Sequence, residues 1–172
     1  MENTIIDKIY ADYLDLFNYL ENNKEISLRN DADNNFKKVL VISAASYFEH
    51  EVTQILLRFI SKYSNNNLQI YSFTKRKAID RQYHSYFDWD AKNANKFFSL
   101  FGDDFKGIIE KDLKSNEKLE KSIKDFIRIG STRNELAHDN FANFTLDMTS
   151  KDIYELYNSA KLFMNYLTEK MS

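Results

Sequence analysis

Apolar side chains return every three or four positions along most of this chain, with Asp, Lys and Asn between them. Ile5, Ile6, Ile9, Tyr13, Leu16, Phe17 and Leu20 share one helical face, which predicts a first amphipathic helix ending near Glu21-Asn22-Asn23. A second helix is expected from about Ala32-Asp33-Asn34, through Phe36, Leu40, Ala44, Tyr47, Phe48, Ile55, Leu56, Phe59 and Ile60, to Asn65-Asn66-Asn67. Its middle, Val39 to Ala45, is almost wholly apolar or small, as suits a central helix contacted on several sides.

Leu68 to Asp80 reads as a helix carrying Lys75, Arg76 and Lys77, and Arg81 to Asp90 as a structured aromatic loop. Asn95 to Leu113 returns to helical spacing in two pieces broken at Phe101-Gly102-Asp103. Leu119, Ile123, Phe126 and Ile127 mark a further helix, with Gly130 expected as its C-terminal cap. A separate short helix would then begin at Thr132. Ile153, Leu156, Tyr157, Ala160, Phe163, Met164 and Leu167 form the last helix, capped by Thr149 or Ser150. No repeat, linker or low-complexity stretch interrupts the pattern. The expectation is one all-α domain over residues 1–172.

Composition sharpens this picture. The 172 residues include no proline and only three glycines, whereas folds of many short strands need such turn formers. A chain of this length can bury roughly 70% of the surface its unfolded form exposes. The 14 Phe and 11 Tyr are expected mainly in that core. A net charge of −2 argues against bulk attraction to nucleic acid but leaves room for a local basic cleft. With no cysteine there is no disulfide framework, zinc ribbon or thiol nucleophile. Met1-Glu2-Asn3-Thr4 lacks the basic start and apolar core of a signal peptide, and the longest apolar run is far below the roughly 18 residues of a membrane span. A cytoplasmic protein with no membrane partner is expected.

The chemistry concentrates in Ser131-Thr132-Arg133-Asn134-Glu135-Leu136-Ala137-His138. Thr132 and Glu135 have capping-box spacing, which would put Arg133 in a helix's first turn, beside unpaired amides. A cation is locally unfavourable there, yet an arginine beside free amides can receive a phosphate on two oxygens at once. An imidazole exchanges a proton near neutrality, about pH 6.5 in model peptides. RNA supplies its own nucleophile, the ribose 2′-hydroxyl, so cleavage needs an acid or base near the reacting oxygens and a cation on the phosphate. Five positions turn an ideal helix by about 140°, so Arg133 and His138 do not share one narrow face. A twofold interface, with each copy contributing to one cleft, would relieve that difficulty.

The segment Arg133 to His138 resembles the Arg-(four to six residues)-His motif of the HEPN superfamily, in its Arg-Asn form. Further likenesses lie in Phe48-Glu49 on the long helix, Trp89-Asp90, Asn93-Ala94-Asn95 and Phe101-Gly102, and together they are similar to the small stand-alone RiboL-PSP-HEPN branch. The resemblance implies a homodimeric helical bundle acting as an endoribonuclease on RNA without metal or other cofactor. Such proteins serve as toxins or anti-phage effectors, with an antitoxin or defence-system protein as partner. Carried onto this chain, Arg133 and His138 are catalytic and Asn134 is the supporting polar residue, while Glu49 or His50 orients the arginine. HEPN toxins paired with nucleotidyltransferase antitoxins carry a tyrosine two places after the histidine. Asn140 stands there instead, which argues against that pairing. The alternative is a non-catalytic HEPN scaffold that binds RNA, a nucleotide or a protein partner.

Two other stretches bear weighing. His50-Glu51-Val52-Thr53-Gln54 is one residue short of a zinc-protease helix, because Gln54 replaces the second histidine ligand. His50 reads instead as a polar residue on a largely buried helix. Lys75, Arg76, Lys77, Arg81 and His84, interleaved with Tyr83, Tyr86 and Trp89, have the makings of an RNA-binding patch, through phosphate contacts and base stacking. The same residues also fit a solvated helix face.

Overall fold

A computed structural model describes residues 3–139 and 141–172, so Asn140 lies outside the described residues. Helices joined by loops make up the fold, with no strand among the described residues: α1 (Ile5–Asn22), α2 (Ile26–Tyr63), α3 (Leu68–Thr74), α4 (Tyr83–Tyr86), α5 (Asn95–Ser99), α6 (Asp103–Lys114), α7 (Glu117–His138) and α8 (Ser150–Met171). A π-helical turn, Lys75–Ile79, continues α3. No helix among the described residues is long and apolar enough to cross a membrane.

The bundle is organised around α2, α7 and α8, with α1 laid against α2. Phe126 of α7 is the hub. Its ring meets Phe48 of α2, Phe163 of α8 and Phe87 of the loop after α4 at 5.6, 5.2 and 4.9 Å, all edge-to-face. This geometry suits the ring quadrupoles as well as burying large area. Phe87 in turn stacks on Phe97 of α5, so the short elements between residues 83 and 101 are pinned to α7 by aromatic contacts.

α2 starts at Ile26, two turns earlier than the apolar spacing predicts. Ile26 and Leu28 are exposed, so those turns carry no buried stripe to read. They are held instead by Arg29, whose guanidinium lies 3.9 Å above the Phe17 ring and 3.7 Å from Glu21, across the tight α1–α2 link. The aromatic residues are not all core. Phe73, Tyr19 and Tyr63 stand exposed, because α3 buries none of its side chains and the outer faces of α1 and α2 have no partner.

The largest departure from expectation is at Gly130. It does not cap a helix; α7 runs unbroken through it from Glu117 to His138. A Cβ at position 130 would lie 2.0 Å from an atom of the Trp89 indole, so glycine is required by the close approach of that ring. Thr132 is consequently buried inside α7 and caps nothing. The true caps are Asn116, which accepts from the Leu119 amide at 3.0 Å, and on α8 Thr149, which forms a capping box with Asp152.

Candidate functional site

Because α7 is continuous, Arg133 to His138 form its last turn and a half, the reverse of the expected placement. Helix carbonyls rather than free amides point that way, and a cation is favoured by the dipole, by some tenths of a kcal/mol. Arg133 therefore needs no special allowance for its position, and no amide nest for phosphate is formed beside it.

Arg133 is half-buried and donates from Nη1 to Oδ1 of its neighbour Asn134 at 3.3 Å. Both residues line a narrow crevice of about 10 Å³, on the order of one water molecule. Ala45 and Glu49 of α2, Tyr83 and His84 of α4, Trp89 and Gly130 complete its walls. Aromatic packing explains the convergence. Gly130 admits the Trp89 indole, and the indole N–H donates to the carbonyl of His84 at 3.0 Å, holding α4 against α7. Tyr83 is buried here, its ring 5.7 Å from Trp89. Burial, and secondarily the Glu49 carboxylate, push its hydroxyl far above the usual range, against the opposing Arg133 charge. Tyr83 stays neutral, an uncharged floor between one anion and one cation.

The other expected site residues are more dispersed. His138 ends α7 exposed, five residues and about 7.5 Å of helix rise beyond Arg133, outside the crevice. His50 is exposed on α2, one position past Glu49, and does not line the crevice either. Lys75 pairs with Asp80 at 3.0 Å. Arg76, Lys77 and Arg81 are exposed around the π-helical turn that leads into α4, with Arg81 at a positive φ of 64°. Phe73, 68% exposed, stands beside them on α3. Among the described residues no three His, Cys, Asp or Glu side chains converge as a metal-binding set.

Two features around the candidate site were missed by sequence reasoning. One is the place of Tyr83 and His84 in the crevice, since the sequence assigns them only to a candidate RNA-binding patch. The other is Lys38, a buried cation on α2 whose Nζ donates to the carbonyls of Phe141 and Ala142 at 2.7 and 3.3 Å. It ties down the loop immediately after His138. The signal was present: Lys38 falls on the buried stripe that continues through Val41, Ala45, Phe48 and Val52. A wider groove of about 640 Å³ flanks α7, between the loop of Phe144 to Met148 and the segment from Trp89 to Lys92, with Arg128, Ser131 and Glu135 along its side.

A single all-helical bundle whose penultimate helix ends in Arg-Asn-x-x-x-His is the architecture of a HEPN-type domain. The family profile described as RiboL-PSP-HEPN matches residues 7–172, and the chain belongs to that family. No match was found among curated proteins, nor among solved structures.

Proposed function

We propose that this protein is an endoribonuclease that cleaves RNA by attack of the ribose 2′-hydroxyl, works as a homodimer and serves in the cytoplasm as a toxin or anti-phage effector restrained by a partner protein. The observation that carries the reading is Arg133, half-buried at the mouth of a crevice, steadied by Asn134 and faced by Glu49, with His138 at the exposed end of the same helix. The crevice is far too small for a nucleotide, so a scissile phosphate would rest at its mouth against the guanidinium. Arg133 then stabilises charge developing on phosphorus, and His138 moves a proton to or from a reacting oxygen. The basic turn of Lys75, Arg76, Lys77 and Arg81, with Phe73 exposed beside it, would draw the RNA strand towards α4 by phosphate contacts and base stacking.

A homodimer is supported by a stripe on α2. Val39, Ile42, Ser46 and His50 recur at helical spacing and are all exposed, on the face adjoining Glu49. A second copy seated there would bring two motifs towards one cleft. The test is incubation of the purified protein and a His138→Ala variant with total tRNA, rRNA and mRNA, with and without EDTA. Expected are fragments ending in 2′,3′-cyclic phosphate, undiminished by the chelator and lost in the variant. An absolute requirement for a divalent metal would rule this mechanism out.

The groove beside α7 favours a second reading, a scaffold that binds a nucleotide without cutting RNA. Its volume, about 640 Å³, is in the usual range for small-molecule sites. Cellular toxicity or defence that persists unaltered in His138→Ala would select it.

A further inference from the structure

In-line cleavage of RNA places the attacking and leaving oxygens on opposite sides of phosphorus. A base and an acid act on either side of the cation, and a histidine beside Arg133 can supply one of them whether the other comes from the same copy or from a second. The chain has three histidines, and one of them lines the crevice beside Arg133. That residue is His84, not His138.

We infer that His84 is a second catalytic proton-transfer residue, acting with His138 on the two sides of a phosphate held by Arg133. The proposal rests on the endoribonuclease reading and deepens it. Its placement is built in rather than incidental. α4 is a single short turn, tied to the π-helical turn by the Tyr86 hydroxyl donating to the Ala78 carbonyl at 2.5 Å. The His84 carbonyl is anchored by Trp89, and Trp89 reaches that position only because residue 130 lacks a side chain. The imidazole stands exposed, open to substrate, with the Tyr83 ring edge-on at 5.4 Å. The charged and titratable groups that line the crevice with it are Glu49 from α2, Arg133 from α7 and Tyr83 from its own helix, and Arg81 lies three residues before it in the chain.

The step balances without further reagents. The 2′-oxygen loses its proton to one neutral imidazole as the O2′–P bond forms. The P–O5′ bond breaks, and the other imidazole, protonated, gives its proton to O5′. The products are a 2′,3′-cyclic phosphate and a 5′-hydroxyl.

Single-turnover cleavage of an RNA oligonucleotide by wild type, His84→Ala and His84→Gln, measured across pH, tests this. Both variants should lose on the order of 100-fold or more in rate, with KM within a few-fold of wild type. The bell-shaped profile of the wild type should lose one limb, the acidic limb if His84 is the base and the alkaline limb if it is the acid. Affinity for the uncleavable 2′-deoxy oligonucleotide should be unchanged, and matching circular dichroism excludes misfolding. A variant that keeps both limbs, or changes KM alone, overturns the role of His84 while leaving the endoribonuclease reading intact. Wild-type protein that cuts no RNA overturns both.

Discussion

At the scale of single residues, Gly130 shows how one position can be misread and yet decide the site. Glycine near the end of an apolar run normally marks a helix C-terminus, because it accepts the left-handed conformation there. Here it sits in regular helix, where it costs roughly 1 kcal/mol against alanine, and the gain is contact with an indole that no pattern in the neighbouring sequence announces. The two effects predict opposite signs for Gly130→Ala. Helix propensity alone would stabilise the protein by roughly 1 kcal/mol. The collision with Trp89 should instead destabilise it by about 2 kcal/mol, lowering Tm on the order of 5 °C. It should also shift tryptophan fluorescence, since Trp89 is the chain's single tryptophan, and, if the protein is the proposed endoribonuclease, reduce RNA cleavage by displacing His84. A variant more stable than wild type would show that the indole contact is not what keeps glycine there.

At the scale of elements, three threonines stand at capping-box spacing before an acidic residue: Thr4 to Asp7, Thr132 to Glu135 and Thr149 to Asp152. The first and last are real boxes and the middle one is not. What separates them was legible: apolar positions Phe126, Ile127 and Ile129 run on to Leu136 without changing face, so no new helix is needed at Thr132. The Thr4 box does more than cap. Asp7 also accepts from the Tyr154 hydroxyl at 2.8 Å and faces Lys161 at 3.5 Å, joining the start of α1 to α8. Burial raises the Asp7 carboxyl, but the Thr4 amide, Tyr154, the Thr4 hydroxyl and Lys161 outweigh it and hold it below its ordinary value of 3.8. A depressed folded-state value contributes stability that is fully present above pH 3.8 and is lost as pH falls through the lower, folded value. Asp7→Asn should therefore lower stability at neutral pH by about 1–2 kcal/mol. The gap to wild type should close as both are titrated towards pH 2, read by urea unfolding at a series of pH values. A gap that stays constant across that range would remove the carboxylate from the account.

At the scale of the whole molecule, the all-helical bundle and most of its order were readable because burial imposes one period on α1, α2, α7 and α8. The site was readable only in part. Arg133, Asn134 and His138 fall within six residues and Glu49 is named through the family resemblance, but Tyr83 and His84 reach the crevice through aromatic packing from some fifty residues upstream. Tertiary convergence of that kind leaves no local spacing to detect. The same consideration bears on assembly. Within one chain His138 stands outside the crevice that Arg133 lines, and the exposed stripe on α2 runs past Glu49 on the neighbouring face. Val39 and Ile42, 47% and 41% exposed, are the apolar positions of that stripe. Replacing both with glutamate adds two charges to each copy of that face. In an isolated chain the change should cost almost nothing, within about 0.5 kcal/mol, as for exposed positions generally. In a dimer built on this stripe the like charges meet and their desolvation is unfavourable. Light scattering should then report a shift from twice 20.4 kDa to 20.4 kDa, with Tm of the dissociated chain close to that of wild type at high dilution. Cleavage should fall with dissociation and return when the variant is mixed with a copy carrying lysine at both positions. Wild-type protein that already scatters as a single chain while cutting RNA at full rate would show that the site is complete in one copy.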